Sequence, residues 1–208
     1  MVDNYTDGFL VAIDGPNGAG KSTLIEMIKD KMVTEGYDVY ITKEPTNTQL
    51  GKFIKDFSER HFGISLACLV AADRYEHIES EILPELTRGK LVITDRYILS
   101  SLILQQMDGV SSNFLLHINS EIIKPDLQIA VYADDEILQH RLKERNILTR
   151  FEKGNQSNSE IVYMKKGISE LEDRNVCILQ IDNTNNLVDN VEKIVYHIIE
   201  HSRKLNRE

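Results

Sequence analysis

The sequence predicts an α/β fold: a five-stranded parallel sheet covered by helices on both faces. Three observations carry that expectation. The apolar runs are short and continuous rather than alternating, helix-period segments separate them, and a glycine-rich turn joins the first run to the first helix. Phe9-Leu10-Val11-Ala12-Ile13 has the unbroken apolar character of a strand buried on both faces. From Lys21 the apolar positions Leu24, Ile25, Ile28 and Met32 recur at helical spacing, and Gly36 offers a stop. Val39-Tyr40-Ile41-Thr42 reads as the second strand and closes a βαβ unit. Leu66 to Leu86 reads as one long helix with a late Pro84. Leu91 to Thr94, Leu127 to Tyr132 and Val176 to Ile181 are the third, fourth and fifth strands. A stripe of Val188, Val191, Ile194, Val195 and Ile198 marks the last helix. The polar stretch Lys153 to Ser159 reads as a mobile loop rather than a joint. With no repeat and no linker, residues 1–208 are expected to form one doubly wound domain.

Composition narrows the function. Of 208 residues, 41% are hydrophobic and 27% charged, which excludes a disordered or fibrous chain. The net charge of −9 disfavours a nucleic-acid polymer or an anionic membrane as partner, so anionic ligands would need local clusters of cations. No apolar run reaches the roughly 18 residues of a membrane span, and the N-terminus has neither the basic start nor the apolar stretch of a signal peptide. Cys68 and Cys177 lack metal-site spacing and read as core fillers of a reduced, cytoplasmic protein. Among the six histidines only His197 and His201 are four apart, and no third ligand accompanies them.

The chemistry is concentrated after the first strand. Gly15-Pro16-Asn17-Gly18-Ala19-Gly20-Lys21-Ser22-Thr23 is a Walker A sequence, placed between a strand and a helix as that motif requires. Phosphate oxygens need bare backbone N–H groups, and Gly18 and Gly20 permit the positive φ that aims them inward. Lys21 brings a point charge to the β and γ phosphates and Ser22 an oxygen to Mg²⁺. The helix that follows turns its positive dipole end to the anion.

Two further groups fit a phosphate enzyme. Thr94-Asp95-Arg96-Tyr97 puts a carboxylate and a guanidinium at the carboxyl end of a buried strand. There Asp95 can organise magnesium and Arg96 can grip a phosphate; a structural ion pair is the competing reading. Arg141, Lys143, Arg145 and Arg150 place four cations within ten residues, readable as a lid at about 141–158 or as a solvated helix face.

Taken in order, these pieces resemble the thymidylate kinases among the nucleoside monophosphate kinases. The likeness is carried by the Walker A segment from Ala12, Thr42-Lys43-Glu44-Pro45, Ala71-Ala72-Asp73-Arg74, Asp95-Arg96-Tyr97 with Ser100-Ser101 and Gln105, Lys124-Pro125-Asp126-Leu127, and Thr149-Arg150-Phe151-Glu152. It implies a three-layer P-loop kinase fold, ATP with Mg²⁺ as phosphoryl donor, a nucleoside 5′-monophosphate as acceptor, and a homodimer packed through helices. It also implies roles. Lys21, Asp95, Arg96 and Arg150 would be catalytic, with Ser22 and Asp95 holding the metal. Asn17, Gly18, Ala19, Gly20, Lys21, Ser22, Thr23, Arg141, Arg145 and Asp182 would hold ATP. Asp14, Glu44, Val70, Arg74, Arg96, Ser101 and Gln105 would meet the acceptor.

The sequence departs from the family pattern at Val70, where phenylalanine is usual, at Leu104, where tyrosine is usual, and at Asn17 and Thr149, where aspartate is usual. These changes leave open a kinase of a different or modified nucleotide or nucleoside, or a degenerate nucleotide-binding module. A guanine-nucleotide switch would carry an Asn-Lys-x-Asp sequence, which the chain lacks.

Overall fold

A computed structural model describes residues 1–4, 6–143, 150 and 157–205, the side chains of 157 and 203–205 excepted. Five strands, β1 (Phe9–Asp14), β2 (Val39–Lys43), β3 (Leu91–Asp95), β4 (Leu127–Tyr132) and β5 (Ile178–Asp182), form an all-parallel sheet in the order β2-β3-β1-β4-β5. The central strand β1 is buried at every position. Its side chains alternate between faces, as strand geometry demands. Val11 and Ile13 meet Leu24, Ile28 and Met32 of α1 (Lys21–Thr34) and Val191, Ile194 and Ile198 of α9 (Leu187–Leu205). Leu10 and Ala12 face the opposite layer, with Leu99 and Leu102 of α5 (Ile98–Met107) and Met164 and Ile168 of α8 (Ser157–Glu172). The sheet is therefore covered on both sides, as the continuous apolar runs predict.

The long helix expected over Leu66 to Leu86 runs as α3 (Ile64–His77), a π turn over Ile78–Ile82, and α4 (Leu83–Thr87) with Pro84 in its first turn. Two shorter helices are held by side-chain caps. Thr48 accepts from Gly51 N at 3.2 Å ahead of α2 (Gln49–Ser58), and Ser111 from Phe114 N at 3.3 Å ahead of α6 (Ser112–Ile118). The remaining helix, α7, spans Asp135–Lys143. α8 lies tightly on α5 because residue 167 is glycine: a Cβ there would come 2.9 Å from Leu99 Cδ1 and 3.0 Å from Leu102 Cβ.

The cysteines correct one expectation. Cys68 and Cys177 are both exposed, the first on the outer side of α3 and the second just ahead of β5, so neither fills the core.

Candidate active site

Parallel strands deliver their carboxyl ends to one edge of the sheet, and the candidate site lies there. The chain leaves β1 at Asp14 and wraps through the Walker A residues into α1. Gly18 and Gly20 both adopt φ 84°, the left-handed conformation the sequence predicts for them. The wrap encloses a cavity of about 180 Å³ lined by Asn17, Gly18, Gly20, Lys21, Ser22, Thr23, Asp95 and Arg96. Ala19 is fully buried beneath it.

Lys21 is folded back onto the loop, its Nζ donating to the carbonyls of Gly15 at 3.0 Å and Pro16 at 2.9 Å. Burial, reinforced by repulsion from Arg96, lowers its pKa from 10.5 to about 8. Ser22 Oγ lies 3.4 Å from Asp95 Oδ2, while Asp95 Oδ1 is buried with no partner among the described residues. A hydroxyl beside an orphaned carboxylate oxygen is a hard-oxygen donor set that fits Mg²⁺, an ion that takes few protein ligands and keeps phosphates and waters.

Arg96 follows β3 with φ 77°, a conformation unusual for a residue with a Cβ. It turns the guanidinium toward the loop: NH2 donates to Asn17 Oδ1 at 2.7 Å and NH1 to Ser100 Oγ at 3.2 Å. Asn17 is held from its other side, where its N–H donates to Glu160 Oε2 of α8 at 3.0 Å.

Next to this wrap opens a second cavity of about 320 Å³. Asn17 and Arg96 belong to both, so the two share a wall. Glu44, Arg74, Ser101 and Gln105 form its polar side and Ile54, Leu66, Val70 and Leu104 its apolar side. Arg74 is fully buried. It donates to Glu44 Oε2 from Nε (2.9 Å) and NH2 (2.7 Å), to Asn119 Oδ1 (2.7 Å), to the Tyr97 carbonyl (3.0 Å) and to Ser101 Oγ (3.0 Å). Burial opposes its charge, but the Glu44 carboxylate and the neighbouring groups outweigh that and hold its pKa above the ordinary value. The guanidinium is thus the floor of the cavity. Gln105 is buried, and no donor among the described residues reaches its Oε1.

Other predicted residues stand elsewhere. Asp14 is fully buried and lines neither cavity. Its Oδ1 accepts from Tyr97 N (2.9 Å) and Ser100 N (3.0 Å), and its Oδ2 from Gln128 Nε2 (2.9 Å), so the carboxylate anchors the start of α5. Arg141 bridges the loop and the segment after β5, donating to the carbonyls of Gly18 (3.3 Å) and Asn183 (3.2 Å). Asp182 borders a separate groove with Tyr132 and Lys193 and accepts from Thr184 N at 3.0 Å. Arg150 is held at the rim of the larger cavity, where Asp108 takes two of its bonds (2.7 and 2.8 Å) and the Ser58 carbonyl a third (2.7 Å). Arg145, and most of the polar loop expected at 153–159, lie outside the described residues.

The sequence reading passed over Asp73. Its carboxylate accepts from Thr46 N (2.9 Å) and Thr46 Oγ1 (2.6 Å), pinning the segment after β2 beside α3. Asp73 stands within the segment Ala71-Ala72-Asp73-Arg74 that carries the family likeness, and nothing in the local pattern marks it as the partner of Thr46.

A family model described as thymidylate kinase matches residues 13–194. A probable thymidylate kinase of Pyrococcus horikoshii is 38% identical over 155 residues, 70% of this chain and 75% of that protein. One from Caldivirga maquilingensis is 33% identical over 192 residues, 89% of this chain and 92% of its own length. A thymidylate kinase of Caldicellulosiruptor saccharolyticus is 38% identical over 144 residues, 65% of this chain and 70% of that one.

Proposed function

The chain belongs to the thymidylate kinase family, and on that footing we propose that it is an ATP-dependent nucleoside monophosphate kinase that converts dTMP to dTDP. The observation that carries this reading is the pair of adjoining cavities that share Asn17 and Arg96. One is a backbone cradle suited to a polyphosphate; the other has an apolar wall and a buried polar floor suited to a nucleoside. A base bearing a ring N–H can satisfy the lone Oε1 of Gln105. Thymine offers that N–H at N3.

In this reading Lys21 and the loop amides hold the ATP phosphates, and Ser22 and Asp95 hold Mg²⁺. The metal, when bound, neutralises charge on the transferring phosphoryl group. Arg96, at the shared wall, grips the acceptor phosphate and orients it toward the donor. Positioning and charge balance supply most of the acceleration in such transfers. Arg74 and Glu44 set the shape of the acceptor floor, with Ser101 and Val70 along its sides. Arg141 borders the donor, and Arg145 and Arg150 belong to a lid at about 141–158 that excludes water when it closes. Residues 1–208 act as one domain. Among the described residues no helix is long and apolar enough to cross a membrane, and we place the protein in the cytoplasm. Exposed Phe53 of α2 and Ile64 of α3 support pairing of two copies through helices.

The test is a panel assay with ATP, Mg²⁺ and a set of nucleosides and nucleoside monophosphates. ADP and dTDP formed together, and only with dTMP present, are the expected products. ADP released with no acceptor, or ATP bound without turnover, would sink the reading.

A further inference from the structure

We propose that His77 is a positioning residue for the acceptor cavity: its buried imidazole holds the Glu44 carboxylate, and through it the Arg74 guanidinium, in the orientation that the nucleoside monophosphate meets. The inference rests on the function proposed above. His77 is fully buried, and the phosphoryl transfer itself assigns it nothing. It lies three residues beyond Arg74 on α3, where its ring bridges that helix to β2. Nε2 is 2.6 Å from Thr42 Oγ1 and Nδ1 is 3.4 Å from Glu44 Oε1. An ionised carboxylate only accepts, so hydrogen-bond logic puts a proton on Nδ1. Thr42 Oγ1 gives its one hydrogen to Glu81 Oε2 at 2.8 Å and so can only accept from Nε2, and Tyr40 donates to the same Glu81 oxygen at 3.1 Å. Glu81 belongs to the π turn that directly follows His77, a wide turn of the kind found beside functional sites.

The division of Glu44 between its neighbours explains why the imidazole matters. Oε2 takes both bonds from Arg74, while Oε1 faces His77. The last torsion of a glutamate is broad and soft. With one oxygen held the carboxylate can swing; with both held it cannot. Arg74 NH2 touches Glu44 and Ser101 together, so a swing of Glu44 reaches the cavity wall. The bonds of His77 run to β2 and its end and not to the Walker A loop, so its loss is felt by the acceptor and not by ATP.

The experiment compares three variants of the full chain by calorimetric binding of dTMP and of ATP, beside thermal unfolding and turnover. In His77→Asn the amide nitrogen sits two bonds beyond Cβ, as Nδ1 does, and keeps the bond to Glu44. In His77→Gln it sits three bonds beyond, as Nε2 does, and keeps only Thr42. A hydrogen bond to a charged group predicts that His77→Gln and His77→Leu weaken dTMP binding about tenfold, with ATP binding within about twofold and His77→Asn within about threefold of the parent. Should the leucine variant fail to fold, the Asn and Gln pair carries the comparison. Equal losses in those two, a parallel loss of ATP affinity, or a folded His77→Gln with undiminished dTMP affinity would overturn the proposal. A parent chain that binds dTMP and displays the Asn and Gln difference, yet transfers nothing, would overturn the assigned reaction and leave the role of His77 standing.

Discussion

ATP binding at mildly alkaline pH is expected to draw a proton from solution, and Lys21 is the group that takes it. The residue is only 7% exposed and its ammonium donates to two loop carbonyls, with burial first and Arg96 second lowering its pKa from 10.5 to about 8. Phosphate oxygens arriving beside Nζ favour the charged form and push that pKa back up. At pH 8.5 a group with a pKa of about 8 is roughly one quarter protonated, so a fully charged lysine in the complex takes up about three quarters of a proton; at pH 7 the uptake falls to about 0.1. Calorimetric titration in two buffers of different ionisation enthalpy reads this number directly. Lys21→Met supplies the control, since it keeps an unbranched stem one atom shorter than lysine and removes the titration. Uptake that is the same at both pH values, or that survives in Lys21→Met, would refute the reasoning. The same shift has a sign in stability. The folded pKa lies below the unfolded one, so between about pH 8 and 10.5 the unfolded chain keeps a proton that the folded chain releases. This group's contribution to stability therefore rises with pH across that window.

Two further outcomes follow from single residues. Arg96 holds a φ of 77°, so Arg96→Gly relieves backbone strain of order 1 kcal/mol; the variant is expected to melt no lower than the parent while turnover falls by about 10³ or more. A lower melting temperature, or near-normal turnover, would count against the role given to it. Arg74→Met leaves the buried Glu44 carboxylate without its cation and is expected to cost about 3–5 kcal/mol in denaturant unfolding, where a loss under about 1 kcal/mol would contradict a structural floor.

The local features of this protein were legible because their causes are local. A strand buried on both faces must be apolar at consecutive positions, and Phe9 to Ile13 is. A loop that aims backbone amides at phosphate must take positive φ, and glycine stands at 18 and 20 where it does. The sequence by itself therefore determined the strands, the helix layers and the Walker A wrap, and its ordered motifs determined the family.

What only the tertiary structure decided is which side chains pair across the chain. Asp14 looked like a ligand group and anchors α5; His77 looked idle and faces Glu44, thirty-three residues earlier; Asp73 fixes the segment at Thr46. Cys68 lay in an apolar helical stretch and ended on its outer side, because periodicity announces a buried face without saying where its edge falls. A carboxylate carries the same letter whether it meets a metal, a helix start or a guanidinium. The choice among them depends on which groups the folded sheet and helices bring within about 3 Å, and that proximity is not written in any local window of residues.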